Sequence, residues 1–271
     1  MSTQRPVALV TGASSGIGRQ TALALAGAGF AVVGTGRDTS RVAPLHGVSL
    51  LDLDVTDDAS VSTLVGQVIA RYGQIDVLVN NAGTGLMGAA EENSLAQARD
   101  VFDVNVYGVM RMVKAVLPHM RDRGRGRIIT LSSVVGFLPS PYMAVYSASK
   151  HAIEGYSESL DHEIRQYGVR ALLVQPAYTS TGFEANSPQP DTPLAAYEQQ
   201  RRAFGRLLET AVRDGDDPAA VAAVVVTAAT APKPKLRYTA GPLAGRARAL
   251  RRFAPAGIFD KQIRKLNRLP D

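Results

Sequence analysis

Short runs rich in Val, Ile and Leu alternate along the chain with longer stretches whose apolar residues recur every three or four positions. The short runs predict strands buried on both faces of a sheet, and the longer stretches predict helices. The predicted strands cover residues 7–10, 31–35, 48–53, 75–80, 127–132, 169–175 and 237–240. The predicted helices cover residues 16–29, 57–72, 94–123 and 142–167. This alternation predicts an α/β fold with a doubly wound parallel sheet of about seven strands and helices on both faces.

The pattern changes after the sixth predicted strand. Residues 180–193 are rich in Pro, Ser, Asn and Thr, and residues 194–213 again carry apolar side chains at helical spacing. Long insertions of this kind commonly cover binding sites. Because no repeat or linker divides the chain, we expect residues 1–271 to form a single domain, with residues 178–213 as a lid and residues 243–271 as a basic C-terminal segment.

The composition excludes several kinds of site. The 271 residues include no cysteine, which excludes disulfides, thiolate metal sites and cysteine nucleophiles. The four histidines are scattered without zinc-ligand spacing, so no metal is expected; they are His46, His119, His151 and His162. The N-terminus is polar, and no apolar run approaches the roughly 20 residues that a membrane-crossing helix needs. We therefore expect a cytoplasmic protein.

The formal charge of +6 is concentrated near the C-terminus, where residues 233–271 hold eleven basic and two acidic residues. A basic segment can contact nucleic acid or anionic lipid. We favour a solvated helix face or a tail packed on a neighbouring subunit, and we expect no nucleic-acid partner. Contact with a membrane surface is the less favoured alternative.

A glycine-rich segment with the spacing G-x-x-x-G-x-G follows the first predicted strand directly. Glycines permit a sharp turn that brings backbone N–H groups close to a pyrophosphate, and the next helix N-terminus favours negative charge. The residues expected there are Gly12, Ser14, Ser15, Gly16, Ile17 and Gly18. A turn with only a structural role is the alternative, but the position after the first strand favours a Rossmann-type dinucleotide site.

The end of the second predicted strand bears on which dinucleotide binds. An acidic residue there would bond the adenosine ribose hydroxyls of NAD, whereas a cation would pair with the 2′-phosphate of NADP. Gly36 occupies the place of the acid, and Arg37 follows it. The alternative is a surface Arg37 paired with Asp38. The sequence therefore predicts NADP(H) in preference to NAD(H).

Tyr146 and Lys150 are four residues apart on a predicted helix, so their side chains share one face. An ammonium near a phenol, together with the positive charge of an oxidised nicotinamide, favours the phenolate and brings the phenol pKa towards working pH. Tyr146 is therefore the predicted general acid or base. Alone, such a pair is more often an amphipathic helix face.

Further motifs lie beside other predicted strands: Asn80-Asn81-Ala82-Gly83, Ser132-Ser133 and Tyr146-Ser147-Ala148-Ser149-Lys150. With the glycine loop and Asn105, they make the chain resemble the single-domain branch of the short-chain dehydrogenase/reductase family, over nearly the whole length to about Thr181. The resemblance implies a single Rossmann-type catalytic domain that transfers hydride between a nicotinamide cofactor and a carbonyl or alcohol.

The resemblance also implies roles for individual residues. Lys150 would hold the nicotinamide ribose hydroxyls as well as act on Tyr146. Ser133, thirteen residues before Tyr146, would hydrogen-bond the reacting oxygen, with Ser132 as its adjacent competitor. The backbone carbonyl of Asn105 would hold a water that relays protons. The other implied cofactor contacts are Asp54, Val55, Asn81, Ala82, Gly83, Pro176 and Thr181.

The sequence departs from the family pattern after the sixth strand, where Ala177 follows Pro176 in place of the usual glycine. Alanine tolerates positive φ poorly. We therefore expect a different backbone beside the nicotinamide, with consequences for the Thr181 contact and the substrate entrance, where Tyr178 adds bulk.

The predicted substrate pocket is mainly apolar and comprises Leu86, Met87, Phe137, Leu138, Tyr142, Met143, Tyr178 and Phe183. This lining predicts a lipophilic small-molecule carbonyl or alcohol, and the chain is similar to family members acting on steroids, retinoids or other bulky ketones. The resemblance also implies a homodimer or homotetramer. The alternative function is a non-catalytic NADP(H)-binding sensor or scaffold on the same fold.

Overall fold

Seven strands pair in parallel to form one sheet in the computed structural model, which describes residues 5–269. Their order is β3-β2-β1-β4-β5-β6-β7. The strands are β1 (Val7–Val10), β2 (Ala31–Gly36), β3 (Val48–Asp52), β4 (Val77–Asn80), β5 (Gly126–Leu131), β6 (Val169–Pro176) and β7 (Arg237–Ala240). The predicted α/β fold is confirmed.

Helices cover both faces of this sheet. They are α1 (Gly16–Gly27), α2 (Asp58–Tyr72), α3 (Leu95–Phe102), α4 (Gly108–Asp122), α5 (Ala144–Ile164), α6 (Glu198–Arg213), α7 (Pro218–Thr230), α8 (Pro242–Phe253) and α9 (Ala256–Leu266). Neighbouring side chains of a strand point to opposite faces. In β1, Val7 and Leu9 accordingly join the core shared with α2, α4 and α5, whereas Ala8 and Val10 join the core shared with α1 and α7.

The predicted helix over residues 94–123 is two helices in the structure. A π-helical turn, Asp103–Tyr107, separates α3 from α4. Arg111 of α4 holds this turn through an ion pair with Asp103 (2.7 Å) and also pairs with Asp58 (2.8 Å) at the start of α2. The apolar periodicity continues through the turn, which is why the sequence pattern did not reveal it.

Helix α5 begins two residues later than predicted. Tyr142 has a φ of 62°, in the left-handed region that bulky residues rarely adopt, so the helix cannot include it. Its ring packs against Phe204 of α6, with ring centroids 5.7 Å apart. Tyr142 therefore combines an unfavourable backbone conformation with a ring contact to Phe204 of the insertion.

The C-terminal basic segment forms α8 and α9. Ala244 and Phe259 anchor these helices by burial, and Arg251 lies over the Phe259 ring at 4.7 Å. Several large apolar side chains stay exposed, most of all Phe253 at 77%. Within residues 5–269, no helix combines the length and apolar character needed to cross a bilayer.

A buried carboxylate fastens α5 to the sheet beside it. Asp161 is fully buried and accepts hydrogen bonds from Arg170 Nε (2.7 Å), the Ala171 N–H (3.0 Å) and Arg165. Burial raises the pKa of the Asp161 carboxyl, but the hydrogen bonds from Arg170, Arg165 and the Ala171 N–H outweigh this and hold the pKa below its ordinary value. Ionised Asp161 therefore stabilises the fold.

We expect Asp161→Asn to lower the free energy of unfolding by about 3 kcal/mol at neutral pH, because Arg170 loses its buried counter-ion. Since the folded-state pKa is depressed, this stabilisation is complete above the ordinary value of 3.8 and is lost as pH falls through the lower folded value. In urea unfolding experiments, the free energies of unfolding of wild type and Asp161→Asn should therefore become equal below that pH. Asp122→Asn, at an exposed pair with Arg121, is the control and should change stability much less.

Candidate active site

The strand order places a crevice at the carboxyl ends of β1 and β4, where the connections leave towards opposite faces of the sheet. Thr11 and Asn81 tie these two strand ends together. The Asn81 and Ala82 N–H groups each donate to Thr11 Oγ1 at 3.0 Å. The Asn81 side chain donates to the carbonyls of Thr11 (2.9 Å) and Gly12 (3.0 Å). Four hydrogen bonds therefore join the residues after β1 to those after β4 at the floor of the crevice.

The glycine loop needs its glycines for space and for backbone conformation. Gly12 has a φ of +66°, and a Cβ placed there would lie 3.0 Å from the Ala82 Cα atom. A Cβ on Gly18 would lie 2.1 Å from the Gly12 carbonyl oxygen. The loop leads into α1, whose N-terminal N–H groups favour an anion. All six predicted loop residues line one cavity of about 1070 Å³. This cradle fits a dinucleotide pyrophosphate.

The end of β2 closes one end of the same cavity. Gly36 and Arg37 line it, together with Asp54 and Val55. The alternative pairing of Arg37 with Asp38 is not observed, because Asp38 pairs with Arg41 at 2.9 Å. Within residues 5–269, Arg37 has no ion-pair partner within 4 Å. Its exposed guanidinium is therefore available to a phosphate at this end of the cavity.

Helix α5 carries Tyr146 and Lys150 into the cavity from the opposite side of the crevice. Both side chains are buried, and the Lys150 Nζ lies 5.7 Å from the centre of the Tyr146 ring. The Lys150 Nζ donates to the Leu131 carbonyl oxygen at the end of β5 (2.8 Å). Burial lowers the pKa of Lys150 to about 8, although the negative charge of Glu154 opposes the shift.

The burial of Tyr146 determines the pKa of its phenol in the protein without cofactor. Burial raises it above the ordinary value of 10.0, and the charge of Glu184 raises it further, while a hydrogen bond from Ser133 acts in the opposite direction. In the protein alone, burial therefore outweighs any help from Lys150. Without a cofactor charge, Tyr146 is a neutral phenol that holds its proton, and the lowered pKa predicted for the complex with an oxidised nicotinamide stays a prediction.

The two neighbouring serines at the end of β5 have different surroundings. Ser133 reaches the phenol of Tyr146, and its Oγ accepts a hydrogen bond from the Val135 N–H at 3.3 Å. The Ser132 Oγ is buried against Gly136 and has no hydrogen-bond partner among the described residues. This placement favours Ser133 over Ser132 as the partner of the reacting oxygen.

Asn105 lies behind the cavity, within the π-helical turn. Its Oδ1 accepts from the Thr84 N–H (2.9 Å), and its Nδ2 donates to the Thr84 carbonyl (2.8 Å) and to Ser149 Oγ (3.1 Å). The side chain therefore fastens the segment after Asn81-Ala82-Gly83 to α5. Asn105 does not itself line the cavity, and its implied part in a proton relay stays a prediction.

Ala177, in the segment after β6, does not adopt a left-handed backbone conformation. Among the described non-glycine residues, only Tyr142 and Arg268 have positive φ, so alanine costs no such strain here. Pro176 and Thr181 both line the cavity. A Cβ placed on Gly16 would lie 3.3 Å from the Thr181 Cγ2 atom, which puts Thr181 directly over the glycine loop.

The two ends of the insertion after β6 lie side by side. The Asp216 N–H donates to the Tyr178 carbonyl and the Ser180 N–H donates to the Asp216 carbonyl, both at 2.9 Å, and Thr179 and Asp216 form a parallel bridge. Buried Glu92, before α3, fastens the far part of the insertion by accepting from the Leu194 N–H (2.9 Å) and from Arg201. The predicted helix in the insertion begins at Glu198 rather than at residue 194.

Apolar side chains from the insertion and from the segments that precede α3 and α5 line the pocket beside Tyr146. Four of the eight predicted pocket residues line the cavity: Leu86, Met143, Tyr178 and Phe183. The other four are outside the lining: Met87, Phe137, Leu138 and Tyr142. Phe137 ends the short helical turn that follows Ser133. The Phe183 ring lies 5.7 Å from the Tyr146 ring.

Sequence reasoning missed Glu184, which lines the same cavity. Its burial raises its pKa, and its charge raises the pKa of both Tyr146 and Tyr178. A single acidic residue in a polar, irregular stretch carries no periodic signal, so only the folded path of the insertion reveals where it lies.

Comparisons with known proteins agree with this geometry. The family model for short chain dehydrogenase matches residues 6–192. The 3-ketodihydrosphingosine reductase of Bacteroides thetaiotaomicron is 39% identical over 243 residues, which cover 89% of this chain and 89% of that protein. The 17-beta-hydroxysteroid dehydrogenase type 1 of Mus musculus is 38% identical over 251 residues, covering 86% of this chain and 72% of that protein.

Solved structures are similar over almost the whole chain. A short-chain dehydrogenase from Streptomyces avermitilis superposes with a TM-score of 0.84 at 34% identity, covering 99% of this chain and 97% of that one. A Burkholderia phymatum relative in complex with NAD has a TM-score of 0.77 at 29% identity, with coverage of 92% and 93%. From the family model, the curated relatives and the shared architecture together, it follows that this chain belongs to the short-chain dehydrogenase family of oxidoreductases.

Proposed function

We propose that the protein transfers hydride between NADP(H) and the carbonyl or secondary alcohol carbon of a lipophilic small molecule. The observation that carries this proposal is that Ser133, Tyr146 and Lys150 line the same cavity as the glycine loop and Arg37. A proton donor, an orienting hydroxyl, a cation and a phosphate cradle thus share one space. The catalytic set proposed is Asn105, Ser133, Tyr146 and Lys150, with Asn105 acting from behind the cavity.

The chain's own residues account for the proton and for orientation. NADPH, when bound, supplies the hydride. Tyr146, a neutral phenol in the protein alone, donates its proton to the carbonyl oxygen in the reductive direction. Ser133 fixes that oxygen through a second hydrogen bond. Lys150 holds the nicotinamide ribose hydroxyls, and the glycine loop and Arg37 hold the phosphates at the other end of the cavity.

The insertion forms the proposed substrate lid, residues 178–213. Its Phe183, Phe204 and Leu208 pack in one apolar cluster with Met143 and Tyr146. A substrate entering there removes apolar surface from water, which favours a bulky lipophilic ketone or alcohol. The relatives named as acting on 3-ketodihydrosphingosine and on 17-beta-hydroxysteroids are consistent with this substrate class.

Replacement of the phenol tests the assigned proton donor. We expect Tyr146→Phe to lower kcat by about two to four orders of magnitude, the usual contribution of a positioned general acid, while NADPH still binds. Loss of nicotinamide absorbance with a panel of ketones measures the rate. Tyr167→Phe, at an exposed residue just after α5, is the matched control and should keep full activity. Undiminished turnover in Tyr146→Phe would exclude the role; NADPH binding without any wild-type turnover would favour a cofactor-binding scaffold.

The pH profile tests Lys150 separately. Because its pKa is lowered to about 8, the ammonium is present below that pH and is lost above it. We expect kcat/KM for ketone reduction to fall as pH rises through about 8, whereas Tyr146, with its raised pKa, stays protonated there. Lys150→Arg keeps its charge throughout this range and should be slower but without that inflection. An inflection that persists in Lys150→Arg would assign the titration to another group.

Substitutions at the end of β2 test the proposed preference for NADP(H) over NAD(H). We expect Arg37→Ala to weaken NADPH binding about tenfold, the equivalent of one charge-assisted hydrogen bond of about 1.5 kcal/mol, and to leave NADH binding unchanged. Gly36→Asp should shift preference towards NADH, because the carboxylate would meet the ribose hydroxyls in one cofactor and the 2′-phosphate in the other. Fluorescence titration with each cofactor measures both effects, and Arg41→Ala is the control. Equal losses for NADH and NADPH in Arg37→Ala would contradict 2′-phosphate recognition.

A further inference from the structure

The last two helices, α8 and α9, expose large apolar side chains that the proposed reaction does not use. The exposed fractions are 51% for Leu243, 77% for Phe253, 54% for Ile258 and 60% for Leu266. These are four of the seven large apolar side chains that stay exposed in residues 5–269, although α8 and α9 have only 12 and 11 residues. Single exposed apolar side chains are ordinary, but a concentration of them marks a surface that contacts a partner.

The same two helices are strongly basic. Residues 242–269 contain eight Arg or Lys residues and one acidic residue, Asp260. Arg246, Lys261 and Lys265 are exposed, and none of them pairs with a carboxylate of the described residues. Their charges are therefore not neutralised within the protein, and the partner of this surface is expected to be anionic.

Apolar and cationic side chains share the outer face of each helix. Buried Ala244 and Phe259 mark the inner faces of α8 and α9. Residues three, seven or ten positions apart lie on the same side of an α-helix. The outer faces accordingly carry Leu243, Arg246 and Phe253 on α8, and Ile258, Lys261 and Lys265 on α9.

An anionic lipid bilayer fits both kinds of side chain. Apolar groups enter the boundary between headgroups and acyl chains, while the cations meet the lipid phosphates. Nucleic acid would engage the cations but leave Phe253 and Ile258 in water. A second copy packed through the same face would set the cations of one copy against those of the other, which is unfavourable.

From this arrangement, we infer that α8 and α9 form a docking face for an anionic lipid bilayer, on whose surface the protein lies without crossing it. Charge alone favours a solvated face or a subunit contact. The exposed apolar side chains between the cations reverse that preference, because a purely solvated face has no use for them.

The docking face adjoins the lid. All seven strands are parallel, so α8, which starts just after β7, starts at the edge of the sheet where the crevice lies. Gly241, directly before α8, has no room for a Cβ because the side chain of Asp216 lies against it. Asp216 is the point where the insertion returns. Docking therefore holds this end of the lid beside the bilayer, from which a lipophilic substrate would enter. The route of entry rests on the proposed function, whereas the docking does not.

Vesicle sedimentation with the full chain tests the charges of the docking face. We expect binding to phosphatidylcholine vesicles that contain about 30% phosphatidylglycerol, but not to phosphatidylcholine alone, and strong weakening as salt rises from about 0.1 M to about 0.5 M. Arg246→Gln, Lys261→Gln and Lys265→Gln together should weaken binding about a hundredfold, at about fivefold per cation. The matched control removes three exposed cations elsewhere: Arg41→Gln, Arg121→Gln and Arg213→Gln.

A second variant tests the apolar contribution without changing the charge. Phe253→Ser combined with Ile258→Ser should weaken binding to the anionic vesicles by about tenfold or more, because less apolar surface enters the bilayer. Leu95→Ser, at a residue of α3 that is 74% exposed, is the control and should bind like wild type. Unchanged melting temperatures confirm that the variants are folded.

Three results would overturn the inference. Wild type would fail to bind the anionic vesicles at low salt, or the Phe253 and Ile258 double variant would bind them like wild type, which would leave a general site for polyanions. In the third, light scattering would show that this double variant changes oligomeric state while keeping its vesicle affinity, which would assign the face to a second copy. Vesicle binding is measured without substrate, so a failure of hydride transfer would overturn the proposed function and leave the docking face intact.

Discussion

The hydrogen bonds between Thr11 and the Asn81-Ala82 backbone are the constraint on which the site depends. They hold the ends of β1 and β4 side by side where the chain departs towards opposite faces of the sheet. The same Asn81 side chain fixes the carbonyl of Gly12 and so sets the shape of the glycine loop. The cavity of about 1070 Å³ that the glycine loop lines lies at these strand ends.

Helix α5 supplies the second half of the site, and polar contacts hold it against the sheet. Asp161 ties its C-terminal end to β6, and Glu154 binds Gln175 of β6 (2.9 Å) and Arg237 of β7 (2.9 Å). Glu154 lies one turn beyond Lys150 and favours its charged form. The polar contacts that position α5 against the sheet therefore also affect the protonation of a proposed catalytic residue.

The sequence predicts most of the sheet because each strand is a short β-branched run between turn residues. It also predicts which residues gather at the crevice, because the carboxyl ends of parallel strands share one edge. The π-helical turn is not predictable from periodicity, since one extra residue leaves the apolar pattern intact. Helix α7 also escaped prediction, because a segment that is apolar all round has no amphipathic period.

The sequence pattern did not predict the properties of the site that depend on tertiary structure. Spacing places Tyr146 and Lys150 on one face, but burial decides the direction in which their pKa values move. Glu184 enters the pocket only because the insertion folds back over α5. That insertion begins and ends at the bridge between Thr179 and Asp216. Residues between these two points can be exchanged or lengthened without disturbing the register of β6 and β7, so substrate range can diverge in evolution while the reaction chemistry is inherited unchanged.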